Sequence, residues 1–303
     1  MGRYRNDNER VKRCVENGFL IRFYFLYVCR PKNYYNMGLF KRNPFGQLLF
    51  LKRWLITIVG ILSHRRYRGF NNLEIEGSEI IKTLPDSNVL FISNHQTYFA
   101  DVVAMLHVFN ASLCGRRDSI KNIGYLWKPK VNVYYVAAAE TMREGLLPKI
   151  FAYGGAITVE RTWRAKGKDV KRDVNPNDTE NIKIALNDGW VITFPQGTTK
   201  SFKPVRKGTA HIIKQHRPIV IPIVIDGFRR SFDKKGLRLK KKGILQTFTI
   251  KEPLQIDYDN DTIDQIVEKV EYAIEQHASF LKVIPVEDLE EQEKLNRLRR
   301  WEY

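Results

Sequence analysis

His95 follows a short apolar run, and a carboxylate, Asp101, lies six positions further on, in the stretch VLFISNHQTYFADVV. An imidazole works as a base when an acceptor holds one ring nitrogen, fixing the tautomer, and the other nitrogen is left to take a proton. The same spacing also describes a helix cap beside a structural histidine. His64, His107, His211, His216 and His277 have no carboxylate placed comparably after an apolar run. About a hundred residues on comes a second unusual stretch, WVITFPQGTTKSFKPVRKGTAHII. Its apolar run stops at Pro195, turns through Gln196, Gly197, Thr198 and Thr199, crosses a basic loop, and enters a helical pattern near Lys207. Glycine lets main-chain N–H groups approach a ligand, hydroxyls and lysines such as Lys200 add donors, and a helix N-terminus favours anions. Such a turn suits a phosphate or a developing oxyanion, but it matches neither G-x-x-x-x-G-K-[ST] nor G-x-G-x-x-G, so a nucleotide loop is not expected.

The elements that would carry these residues can be read from the hydropathy pattern. Apolar runs rich in β-branched and aromatic residues at 88–93, 131–137, 156–160, 190–195 and 219–225 predict buried strands. Helical patterns at 101–109, 141–153, 178–187 and 207–215 alternate with them. Alternation of this kind predicts an α/β fold with a largely parallel central sheet flanked by helices, whose sites form at the carboxyl ends of the strands. Both stretches above leave such ends. In an unbroken helix six positions rotate a side chain by about 600°, roughly 240° net. For His95 to meet Asp101, the histidine must therefore precede the helix. Beyond the core pattern, 245–256 predicts a strand or a bent pair, since Pro253 interrupts it, and 261–278 an amphipathic helix.

The formal charge is +18, and it is concentrated in two places. Residues 1–70 hold fifteen Lys/Arg against three acids, and 229–243, RRSFDKKGLRLKKKG, hold eight against one. Localised positive charge is expected of a surface that docks a polyanion. In the N-terminal region the basic residues interleave with apolar stretches, GFLIRFYFLYVCR at 18–30 and QLLFLKRWLITIVGIL at 47–62. Neither reaches the ~20 apolar residues of a spanning helix, and both suit interfacial helices with aromatics at the boundary and Arg/Lys toward phosphates, the alternative being ordinary buried helices of an α/β protein. The expected organisation is a basic, apolar, membrane-associating helical segment at 1–70, an α/β domain at 71–283 and a charged C-terminal helix at 284–303. The predicted location is the cytoplasmic face of a membrane, as a monotopic or peripheral protein on anionic lipids. The charge also raises a nucleic-acid-binding alternative, against which stand the aliphatic interleaving and the absence of any zinc-finger, RNA-recognition or basic-zipper pattern. No metal is expected, since no residues have ligand spacing.

Four blocks in this order resemble the lysophospholipid (1-acylglycerol-3-phosphate) acyltransferase family: NHQTYFAD resembles N-H-x4-D, GAITVER a second block ending at Arg161, FPQGTT the block F-P-E-G-T-R, and VIPIVI a strand with a central proline, Pro222. The resemblance implies that His95 is the base and Asp101 its orienting carboxylate. Arg161, Gln196, Gly197, Thr198, Thr199, Lys200 and Lys207 become the substrate-binding set. The implied reaction moves a fatty acyl chain from an acyl thioester, acyl-CoA or acyl carrier protein, to the hydroxyl of a lyso-lipid, with no bound cofactor. Two features depart from the family pattern. Five residues rather than four separate His95 from Asp101, and Gln196 and Thr199 replace the usual glutamate and arginine. A threonine cannot replace the bidentate phosphate contact of an arginine. Either Lys200, Lys203, Arg206, Lys207 or Arg161 supplies that charge, or the acceptor lacks a glycerol phosphate. A catalytically silent lipid-binding relative and a fatty-acid-releasing hydrolase are the remaining alternatives.

Overall fold

The computed structural model describes residues 40–143, 146–160, 164–165, 168–169 and 175–281. The apolar segment 18–30, Arg161 and the charged C-terminal segment lie outside the described residues. The chain enters through helix α1 (Leu49–Tyr67), followed by strand β1 (Asn72–Glu76), β2 (Val89–Ser93), α2 (Ala100–Leu113), β3 (Val133–Ala138), α3 (Ala139–Arg143), α4 (Leu146–Tyr153) and β4 (Ala156–Val159). A two-stranded excursion, β5 (Arg164–Ala165) and β6 (Lys168–Asp169), leads to α5 (Pro176–Asp188), β7 (Trp190–Thr193), α6 (Lys207–His216), β8 (Ile219–Asp226), α7 (Phe228–Ser231), β9 (Leu245–Ile250) and α8 (Ile263–Ala273).

Seven strands form one sheet in the order β1-β9-β8-β2-β7-β3-β4, and every neighbouring pair is parallel except β8 with β9. The expected largely parallel α/β sheet is therefore present. The central strands β2 and β7 are buried at every residue, as strands covered on both faces must be. Alternation sorts their side chains. Phe91, Trp190 and Ile192 join the core under α2 and the end of α1, whereas Leu90, Ile92 and Val191 join the core under α5, α6 and α8. Because β2, β7 and β8 are mutually parallel, the loops leaving Ser93, Thr193 and Asp226 emerge at one edge of the sheet.

The helix predicted over 141–153 corresponds to α3 and α4, and residues 144–145 between them lie outside the described residues. The strand predicted over 245–256 ends at Ile250, before Pro253 can interrupt the ladder. Strand β1, not predicted, contributes only Leu73 and Ile75 to the core.

Helix α1 is inverted relative to an ordinary surface helix. Its inner side carries Lys52, Thr57, Gly60 and Ser63 along with Leu49, Ile56 and Tyr67. Exposed instead are Phe50, Leu51, Trp54, Ile58, Ile61 and Leu62, the last 73% exposed. Polar groups on the inner side are satisfied locally: Thr57 Oγ1 donates to Leu126 O at 2.8 Å and Ser63 Oγ to Val59 O at 2.7 Å. Among the described residues no helix is long and apolar enough to cross a membrane.

Candidate active site

The residue after β2, Asn94, sets the direction in which the chain leaves the sheet. Its side chain exchanges two hydrogen bonds with the main chain of Ile225, Nδ2 donating to the carbonyl at 2.8 Å and Oδ1 accepting the N–H at 2.9 Å. The next residue, His95, is thereby held above the strand ends, and the helix does not begin until Ala100. The extra residue between His95 and Asp101 is absorbed in this loop. Asp101, fully buried in the first turn of α2, accepts four hydrogen bonds: His95 Nδ1 at 2.9 Å, Gln96 N–H at 2.7 Å, Thr97 N–H at 3.0 Å and Thr97 Oγ1 at 2.7 Å. The helix N-terminus adds favourable potential for the anion. A carboxylate can be buried only when donors surround it in this way. Since a carboxylate only accepts, the Nδ1 nitrogen carries the proton and Nε2 presents a lone pair. Nε2 makes no bond among the described residues.

The basic stretch 229–243 holds this loop from outside. Tyr98 and Phe99 donate their N–H groups to the carbonyls of Lys234 (3.1 Å) and Lys235 (3.0 Å). Gly236 comes next at φ +75°, and a Cβ there would lie 2.6 Å from the nitrogen of Ala100. Only glycine permits this approach. The charges of Lys234 and Lys235 stay exposed, while their backbone carbonyls satisfy the donors that the lengthened loop would otherwise leave unpaired.

Opposite the imidazole lies the second stretch. The Phe194 ring stacks on His95 with 3.9 Å between centroids and 23° between planes, so the turn that begins at Phe194 adjoins the base. Gly197 has φ +63° and donates its N–H to Phe194 O at 2.9 Å, closing the turn. That N–H is therefore unavailable to a substrate. The N–H groups of Thr198 and Thr199 make no bond among the described residues, while Thr198 Oγ1 accepts from Lys200 N at 3.3 Å. Gln196 is buried; its Nε2 donates to Lys203 O at 2.7 Å and Gln276 Oε1 at 3.2 Å. It is a brace within the 196–206 loop. Lys200 is exposed, and Lys207 pairs with Asp264 of α8 at 2.7 Å.

The structure thus brings together His95, Asp101 and the 196–199 turn from the predicted set, sets Gln196 inside the loop, and directs Lys207 to a surface ion pair. Three residues outside that set also build the site. Thr97 and Phe194 stand within the two motifs, where their types alone suggest no role. Arg229, in sequence only a member of a charge run, donates from Nη1 to Ser201 Oγ at 3.0 Å and from Nη2 to Thr199 O, and its own N–H donates to Gln96 Oε1 at 3.0 Å. No pattern in the sequence links positions 96, 199 and 229. Among the described residues no group of three His, Cys, Asp or Glu could hold a metal ion.

A histidine oriented by a buried carboxylate has the geometry of a general base. Comparison with known proteins names the class. The family model described as Acyltransferase matches residues 72–226, a span that takes in His95, Asp101, the 196–199 turn and all of β8. The chain belongs to the acyltransferase family and is an O-acyltransferase, as the four sequence blocks implied. No curated protein matches it in sequence. Among solved structures it is similar to the 1-acyl-sn-glycerophosphate acyltransferase PlsC of Thermotoga maritima, with 17% identity, 78% of this chain and 83% of that chain covered, and a TM-score of 0.46.

Proposed function

We propose that the protein transfers a fatty acyl chain from an acyl thioester, acyl-CoA or acyl carrier protein, to the hydroxyl of a lyso-lipid at a membrane surface. The observation that carries this is the His95–Asp101 pair stacked on Phe194 at the mouth of the 194–199 turn. Nε2 takes the proton of the acceptor hydroxyl as its oxygen attacks the thioester carbonyl, and Asp101 stabilises the imidazolium that forms. The tetrahedral oxyanion is received by main-chain N–H groups of the turn, for which Thr198 and Thr199 are the free candidates; one such donor is typically worth ~3 kcal/mol. Collapse expels the thiolate, which recovers the proton from His95. No serine intermediate is needed, because the thioester is already activated.

The exposed apolar side of α1 supports a membrane location. Trp54, Ile58, Ile61 and Leu62 recur at helical spacing on that side, and Arg65, Arg66 and Arg68 stand at its end. Apolar residues entering the headgroup layer beside arginines that meet lipid phosphates describe an interfacial helix on anionic lipid. Arg66 also donates to Leu237 O at 2.6 Å, joining this helix to the basic stretch that clamps the His95 loop. We place the protein peripherally on the cytoplasmic face, where acyl thioesters are available. The test is incubation of the purified protein with a labelled acyl thioester and a panel of lyso-lipids, then product identification. Acylated lipid from the wild type but not from His95→Ala, with equal vesicle binding by both, supports the proposal. Undiminished turnover by His95→Ala rejects it.

A further inference from the structure

Arg229 differs from the basic residues around it. Its neighbour Arg230 pairs with Asp226 at 3.3 Å, but among the described residues the Arg229 guanidinium meets only neutral oxygens, Thr199 O and Ser201 Oγ. Among the described residues, the side chain is held without a carboxylate compensating its charge. Of the five N–H groups of a guanidinium, three make no bond among the described residues. Its backbone is fixed as well. Gln96, adjacent to the base, accepts the Arg229 N–H through Oε1 and donates through Nε2 to Ile225 O at 3.1 Å and Asp226 Oδ1 at 3.0 Å. Arg229 therefore bridges the His95 loop and the Thr199 turn.

Position 199 is where the resemblance would place an arginine and this chain has threonine. A guanidinium from α7, the short helix just after β8, reaches the main chain of that same residue. We propose that Arg229 supplies the anion-binding charge of the site beside His95, taking a phosphate ester of one of the two substrates, with the exposed Lys200 beside the same turn. Guanidinium is suited to this because its planar fork donates in parallel to two phosphate oxygens. The inference deepens the acyl-transfer proposal and rests on it. The phosphate can come from the acceptor head group or from coenzyme A.

The experiment compares wild type, Arg229→Gln and Arg229→Lys, after melting curves confirm that each folds. Acceptors are 1-oleoylglycerol 3-phosphate and 1-oleoylglycerol; donors are palmitoyl-CoA and palmitoyl-pantetheine, which lacks phosphate. Losing a charge-assisted contact should raise KM for the phosphate-bearing partner roughly 10- to 100-fold in Arg229→Gln, with smaller loss in Arg229→Lys and little change for its phosphate-free counterpart. Dependence on the acceptor pair assigns the head group, and dependence on the donor pair assigns coenzyme A. Equal losses with phosphate-bearing and phosphate-free substrates would reduce Arg229 to a loop tether and overturn the inference. So would unchanged kinetics. Calorimetric binding of coenzyme A and of 1-oleoylglycerol 3-phosphate is measured in parallel. Should the folded wild type transfer no acyl group, the acyl-transfer proposal fails, and calorimetry decides separately: weaker binding of either probe by Arg229→Gln upholds the anion site, and equal binding of both overturns it.

Discussion

Replacing Asp101 by asparagine isolates the charge of the carboxylate from its geometry. Oδ2 accepts three hydrogen bonds, from His95 Nδ1, Gln96 N–H and Thr97 N–H, whereas Oδ1 accepts only from the Thr97 hydroxyl. An asparagine amide can put its carbonyl in the first place and its NH2 in the second, because a hydroxyl can rotate from donor to acceptor. All four contacts then survive, as does the His95 tautomer. Only the negative charge facing the imidazolium is lost. Two unit charges about 4 Å apart at an effective dielectric near 20 interact by about 4 kcal/mol. Since the amide oxygen still accepts from Nδ1, the net loss should be about 3–4 kcal/mol, a fall in kcat of roughly 10²- to 10³-fold. Asp101→Ala instead strands the Gln96 and Thr97 donors around a buried site, costing about 1–3 kcal/mol each. Thiol release from acyl-CoA in the presence of lyso-lipid reads the rate, and urea denaturation reads stability. Asparagine should be slow but near wild-type in stability, and alanine both slow and unstable. An asparagine variant with wild-type turnover would refute the electrostatic role, and one as unstable as alanine would refute the orientation assigned to the amide.

Three other outcomes are expected. Burial holds the Lys52 ammonium down at about 7, against the attraction of Asp188, while the unfolded chain binds that proton up to about pH 10.4. Between these values the unfolded state carries more protons, so Lys52 makes stability rise with pH, by at most about 1.4 kcal/mol per unit; urea melts at neutral and alkaline pH should show that component removed in Lys52→Met. Gln196→Glu, which restores the family residue, should destabilise the protein by about 2 kcal/mol or more, because a buried carboxylate would face the carbonyl of Lys203 and Oε1 of Gln276, both acceptors; thermal melting checks it. Ile58→Glu and Leu62→Glu alter exposed positions on α1, so melting should be unchanged, while sedimentation with anionic vesicles should weaken by at least about tenfold for each apolar side chain kept out of the lipid.

His95 and the 196–199 turn were legible in the sequence because each stands just past a short, wholly buried strand, and Asp101 because it opens the helix that follows His95. In a parallel α/β sheet such strands deliver their outgoing loops to a common edge. The same periodicity was enough for the sheet-forming runs at β2, β3, β4, β7 and β8. It missed β1, whose NLEIE alternates polar and apolar residues as a half-buried strand does, rather than forming the continuous apolar run that marks the buried strands. How the lengthened His95 loop closes was not legible. Its donors are met by main-chain carbonyls of Lys234 and Lys235, and a carbonyl belongs to every residue alike, so composition cannot announce it. The roles of Gln196 and Arg229 were hidden for a related reason. Both stood out by side-chain type, one as a motif departure and one as a member of a charge run, yet their functions depend on partners 80 and 30 positions away. Local pattern determined which chemical groups this chain possesses and on which strand ends they stand. Packing between distant segments decided which of them face one another, because those contacts are made by chain geometry that no short window of residues encodes.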